Sequence, residues 1–209
     1  MTGTAVATPV LPDLVSIAPA DPARRDLAAL FARAFAGDAH IDWLLPARGD
    51  REGARLALFS ILLDGLGGQL QATPDHQAAA LWFAPDGGLD WRAQARFFRF
   101  LAASLGPLAA LSRGLDLKRM DGRHPNRPHY YLQLLAVAPE NRGRGLGRTL
   151  AGAMLEQARR DDCPAYLETS SPANVAFYRG LGFAVSAETR LAGGLTLWSL
   201  VWNPGRAPL

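Results

Sequence analysis

The chain has 209 residues, 49% of them hydrophobic and 20% charged, with a formal net charge of +3. That is enough apolar material for a substantial core, and the small positive excess excludes the dense basic stripe of a nucleic-acid binder. Lys118 is the only lysine and Cys163 the only cysteine, which excludes an intrachain disulfide and a cysteine-rich metal site.

Residues 1–12, rich in Thr, Ala and Pro, read as a flexible tail without the basic leader of a signal peptide. The longest mostly apolar stretch, Phe100–Leu111, is interrupted by Ser104, Gly106 and Pro107 and falls short of the roughly 20 residues that span a bilayer. The expectation is a cytoplasmic protein with one domain over residues 13–204, no metal, and neither nucleic acid nor membrane as partner. The scattered arginines, Arg24 and Arg190 among them, are expected to be solvated surface.

A short strand is predicted at Asp13–Ala18. Asp21-Pro22 caps a helix whose apolar face is Leu27, Leu30, Phe31, Ala34 and Phe35, with Gly37 as its stop. A second helix is predicted over Glu52–Leu66. Two hairpin strands follow, Gln69–Thr73 and Ala78–Ala84, turned by Pro74-Asp75 and stopped by Pro85–Gly88. Helices are predicted over Leu89–Leu105 and Pro107–Met120, then a polar loop over Arg123–His129.

Tyr130–Ala138 reads as a strand with a nearly continuous apolar run, expected to be buried on both faces. A glycine-rich loop, Asn141–Gly147, leads into a helix from about Arg148 to Arg160. A strand at Ala165–Thr169, a short helix from Ser171-Pro172 to Tyr178, and a hairpin of Phe183–Arg190 with Leu195–Trp202 complete the pattern. Strand, helix, strand in this order is a βαβ unit, which requires a parallel pair. The fold class is therefore α/β: a mixed sheet with antiparallel strands early, a parallel pair at its centre, and helices on both faces.

The loop Arg142-Gly143-Arg144-Gly145-Leu146-Gly147 lies between a buried strand and a helix. Glycines let its N–H groups converge, and a helix N-terminus adds partial positive charge, so the segment suits a phosphate. No Gly-Lys-Ser/Thr ending is present, and the dinucleotide fingerprint fails because its sixth place is Arg148. A plain structural glycine turn is the competing reading.

The pattern that Arg142, Gly145 and Gly147 do fill, Arg/Gln-x-x-Gly-x-Gly, resembles the pyrophosphate loop of the GNAT family of N-acetyltransferases. Leu135–Pro139 before it, and Asn174, Tyr178 and Gly180–Phe183 after it, fall in the family's order. Tyr166–Ser170, Asn174 and Phe177-Tyr178 are similar to the puromycin N-acetyltransferase branch.

The resemblance implies the GNAT fold, with a bulged central strand splayed away from Ala165–Thr169. It implies acetyl-CoA as co-substrate, its pantetheine arm beside Leu135, Ala136 and Val137. The diphosphate would lie on Arg142, Gly143, Arg144, Gly145, Leu146, Gly147 and Arg148, with Asn174, Phe177 and Tyr178 lining the site. The implied partner is a small-molecule amine, the implied assembly a monomer or homodimer.

Transfer to an amine releases a thiolate, and a phenol is a reasonable donor to that sulfur. Tyr178 is the candidate general acid; its other reading is an aromatic packed beside Phe177. Glu168, the sole acid in an apolar run, is the candidate base, or else a residue that braces its strand. His129, His40 and Asp42 are weaker candidates, and Cys163 reads as a buried structural thiol. Two rival functions stay open: acetylation of a protein N-terminus or lysine, and acetyl-CoA sensing without turnover.

Overall fold

The computed structural model describes residues 13–65, 67–85, 87 and 91–205. The tail at 1–12, part of the stop at Pro85–Gly88, and Leu66 and Leu89 at two helix ends lie outside the described residues.

Among the described residues, seven strands form one sheet: β1 (Val15–Ile17), β2 (Gln69–Ala72), β3 (Ala78–Phe83), β4 (Tyr130–Val137), β5 (Ala165–Thr169), β6 (Ala184–Arg190) and β7 (Thr196–Trp202), in the spatial order β1-β2-β3-β4-β5-β7-β6. All neighbours are antiparallel except β4 and β5. β7 thus enters between β5 and β6 rather than closing an edge.

On one face lie α1 (Ala23–Ala34), α3 (Arg51–Gly65), α4 (Trp91–Leu105) and α5 (Pro107–Asp121), over a core that includes Leu27, Phe31, Phe59, Leu81 and Leu134. On the other lie α6 (Leu146–Arg160) and α7 (Pro172–Arg179), packed on Trp82, Leu132, Leu167 and Leu200. Leu150, Met154, Leu155 and Ala158 recur at helical spacing and are buried under α6, so burial of that stripe anchors the helix to the sheet. Ser171 caps α7 by accepting from the Asn174 N–H, with Pro172 in the first turn.

Two expectations need correction. Arg24 is not surface: it is 5% exposed, and its guanidinium donates to the carbonyls of Ala18, Leu63 and Ile17, tying β1, α1 and α3 together. Burial costs its charge enough to lower its pKa, and three carbonyl acceptors offset that cost. Nor is β4 buried on both faces. Leu132, Leu134 and Ala136 are buried, but Leu135 and Val137 are only half-buried because they border open space.

A short helix, α2 (Ala39–Trp43), was not anticipated. Asp38 starts it by accepting from the His40 and Ile41 N–H groups, both at 3.0 Å.

Candidate active site

The site begins with a bulge. Opposite β3, Leu81 pairs with Leu134 but Trp82 pairs with Leu132, leaving Gln133 as the extra residue. The insertion changes which residues face each layer. Tyr130 and Leu132 pack toward α6 before it; Leu135 and Val137 do so after it, while Leu134 and Ala136 turn to the opposite core.

The bulge also ends the parallel pairing. β4 and β5 match only at Tyr130–Ala165, Tyr131–Tyr166 and Leu132–Leu167, although β4 runs on to Val137 and β5 to Thr169. In an antiparallel ladder, alternate residues bond to the neighbour and the others face away. The Ala138 N–H donates to the Gln77 carbonyl at 2.8 Å, so Ala136 and Leu134 face β3. Leu135 and Val137 therefore turn their N–H and C=O groups into the gap. Ala136 borders the gap without offering it a ladder group.

Beyond β4, a 3-10 turn at Pro139–Asn141 leads into the glycine loop. Gly143 and Gly145 have φ of +79° and +84°, a left-handed conformation that a side chain would strain. Thr149 N–H makes the first bond of α6, to Gly145 at 3.0 Å, so the N–H groups of Leu146, Gly147 and Arg148 have no carbonyl within the helix. A Cβ on Gly147 would lie 3.6 Å from both Phe177 and Val137, among the groups that wall the gap. Converging free amides with no side chain between them and the groove fit a diphosphate.

The arginines serve this loop unequally. Arg142 donates to the Ala34 carbonyl at 2.7 Å and Arg148 to the Gly180 carbonyl at 3.0 Å. Both border the groove while bracing α1 and α7 against it; Arg144 is exposed and does not line it.

Two cavities meet where the strands part. A groove of about 820 Å³ runs along Leu135–Val137, Gly143, Gly145–Arg148 and Phe177. A second, of about 470 Å³, opens between α2, α3, α4, α5 and the strand ends. Phe35, Asp38, Leu135, Ser170, Asn174 and Tyr178 border both. Asn174 donates to Thr169 Oγ1 at 3.2 Å, fixing the start of α7 against β5.

Tyr178 is 8% exposed, packed edge-on to Phe177 and Phe183. Burial alone drives its pKa well above the usual phenol value, so the hydroxyl keeps its proton. Glu168 lines the second cavity and accepts from Tyr131 at 3.0 Å and Tyr166 at 2.9 Å; Tyr166 also reaches Ser199 at 3.0 Å. Burial raises the Glu168 pKa, with the two tyrosine bonds opposing and Asp121 adding to the rise.

The sequence assigns no role to Tyr131 or Tyr166, although Tyr166 lies in the segment that carries the resemblance. They are direct neighbours in the parallel register, and Tyr166 shares a face with Glu168 two residues on. Behind them His124 packs on both tyrosine rings and meets His129 at 3.0 Å; His129 Nδ1 lies 2.8 Å from the Arg127 carbonyl. Burial, with His129 adding, lowers the His124 pKa to about 4.

Of the weaker candidates, His40 lines the second cavity with a buried Nε2 that has no partner among the described residues. Asp42 is turned away, paired with Arg51 at 2.7 Å. Cys163 is buried with its thiol 3.3 Å from the Pro128 carbonyl, and burial pushes its pKa up. No group of three or more metal-ligating side chains occurs among the described residues. Nor is any helix among them long and apolar enough to cross a membrane.

A strand bulged and parted from its parallel neighbour, followed by a glycine loop and helix, decides the architecture. This is the GNAT fold. Residues 89–183 match the family model described as Acetyltransferase (GNAT) family. Known structures of similar fold include a Corynebacterium glutamicum protein described as histone acetyltransferase HPA2 and related acetyltransferase. It is 19% identical with a TM-score of 0.70, over 95% of this chain and 99% of that one. An N-acetyltransferase from Staphylococcus aureus Mu50 is 14% identical with a TM-score of 0.56, over 90% of this chain and 99% of that one. The matched segment takes in the parted strand pair and the glycine loop, and the likeness to the known structures is one of fold.

Proposed function

We propose that the protein acetylates the amine of a small molecule by direct transfer from acetyl-CoA, with Tyr178 as general acid. The observation that carries this reading is the junction itself. Tyr178 borders both the groove, with its free amides, and the second cavity, at the point where β4 and β5 separate.

The amides from Gly143 to Arg148 would hold the diphosphate, and the groups of Leu135 and Val137 would hold the pantetheine arm as an added strand would. Asn174 and Phe177 line the same path. Bound acetyl-CoA supplies an activated acyl carbon and a thiol leaving group. The Leu135 N–H faces the gap and is placed to polarise the acyl oxygen, an effect of about 3 kcal/mol for one such donor.

The acceptor enters as an ammonium and loses one proton through Glu168 to solvent. The neutral amine then forms the N–C bond as the C–S bond breaks. Tyr178 gives its proton to the departing sulfur, and the second proton from nitrogen restores the phenol. A phenol whose ionisation is suppressed by burial suits this role, because the thiolate forms in the same dry place and carries the same penalty. Cys163 is buried away from both cavities, which supports direct transfer over an acyl-cysteine route.

The similarity of Tyr166–Ser170 and Asn174 to the puromycin N-acetyltransferase branch supports a small acceptor, as does the cover of α4 and α5 over the cavity. Thiol release from acetyl-CoA with a panel of amines tests the reading. Tyr178→Phe should lower kcat by about a hundredfold or more with the fold intact. Full turnover by that variant would remove Tyr178 from the mechanism.

A further inference from the structure

The cavity of about 470 Å³ has two unlike ends. Its inner end, at the parted strands, carries Glu168, Ser170, Asn174 and Tyr178. Its outer walls are Ile61 and Leu62 from α3, Phe97 and Phe98 from α4, and Leu117 and Met120 from α5. These walls offer no side-chain hydrogen bond. A hydroxylated ring seated there would lose its water bonds without replacement, and a second ammonium directed at those walls, away from Asp121 and Glu168, would lie against hydrocarbon.

The charges also differ in kind. Asp38, Asp121 and Glu168 border the cavity, and among the described residues Lys118 is the only lysine or arginine that does. Asp38 is committed to the N–H groups of His40 and Ile41, and Lys118 is exposed at the rim. Other polar side chains on the lining are Gln94, Gln133, Tyr131 and Thr169, and His40, whose Nε2 is buried and unpartnered among the described residues.

We infer that the acceptor is a lipophilic primary amine, an aryl- or branched-alkyl amine whose ammonium lies toward Glu168 and whose body fills the space between α3 and the α4–α5 pair. The inference rests on the acetyl-transfer reading and narrows it. Amino sugars, polyamines and peptide N-termini are disfavoured, because each would place hydroxyls, a second cation or a polar backbone against those apolar walls. The body carries at most one or two hydrogen-bonding atoms, which His40 and the glutamines can meet.

The test uses the full chain, acetyl-CoA and four acceptors: 2-phenylethylamine, glucosamine, spermidine and a short peptide with a free N-terminus. Thiol release gives kcat/KM for each, and calorimetric titration of 2-phenylethylamine in the presence of CoA gives binding without turnover. The expected result is kcat/KM at least about tenfold higher for 2-phenylethylamine than for the other three. Phe98→Glu, at a wall residue 43% exposed that the fold should tolerate, should raise its KM by about tenfold or more and weaken its binding in parallel.

Binding of 2-phenylethylamine that Phe98→Glu weakens, with no thiol release from any acceptor, would sustain the cavity assignment and refute acetyl transfer. Preferred turnover of glucosamine, spermidine or the peptide would sustain acetyl transfer and overturn the acceptor class. Neither binding nor turnover of 2-phenylethylamine would overturn the inference outright.

Discussion

Gly147→Ala separates the stability of the fold from the grip on the co-substrate, because the two should move in opposite directions. Gly147 sits in the first turn of α6, and an added methyl would meet Phe177 and Val137 at 3.6 Å and Leu135 at 3.9 Å. These are ordinary contacts, so nothing need shift. Replacing glycine by alanine in a helix is worth up to about 1 kcal/mol, less in a first turn, which for a chain of this size raises the apo Tm by at most about 4 °C. The methyl also occupies the wall of the groove beside the free amides. Weakening one charge-assisted bond there costs roughly tenfold in affinity.

In thermal melts with acetyl-CoA at a hundred times the wild-type Kd, stabilisation should fall from about 2.7 to about 1.4 kcal/mol. Gly147→Leu, whose extra carbons have only the groove to enter, should abolish it. If both variants keep the wild-type ligand shift, the diphosphate does not lie on these amides.

Further outcomes follow from the same geometry. Gly145→Ala forces a side chain into a φ of +84° and should destabilise the fold by about 1–2 kcal/mol, seen as a lower Tm. Glu168 has a raised pKa, so the native state holds its proton more tightly than the unfolded chain does. Its contribution to stability is present below the ordinary carboxylate range and is lost as pH rises through the raised value. Glu168→Gln should flatten that part of the stability–pH curve in denaturant titrations and should also slow turnover. His124 has the opposite sign. With its pKa lowered from 6.5 to about 4, it contributes stability above pH 6.5 that is lost as pH falls toward 4, and His124→Phe should reduce this acid sensitivity in equilibrium unfolding.

The sequence carried the parts of this fold that local chemistry dictates. Pro172 after Ser171, the apolar stripe of α6 and the Arg142-x-x-Gly-x-Gly spacing each determine a piece of backbone by themselves, and β5 lies where its residues predicted. What stayed hidden depends on pairing. The Gln133 bulge shows only against β3, and the end of the parallel ladder after Leu132 needs both strands in place. The half-exposure of Leu135 and Val137 follows from that separation, so an apolar run read as buried on both faces instead borders a groove. α2 stays hidden because Gly37 stops the helix before it and five residues are too few to show a helical period. Arg24 was misread because a guanidinium that satisfies three carbonyls has the same one-letter code as a solvated one.

The threading of β7 has a consequence for synthesis. β5 is bonded to β4 at only three residue pairs, whereas β7 flanks it along its whole length. The strand that carries Glu168 therefore gains most of its ladder only once residues 196–202 have left the ribosome. Until then a nascent chain with its glycine loop complete still lacks a fixed wall opposite Leu135, and it should gain ligand-induced protease resistance only when those residues emerge.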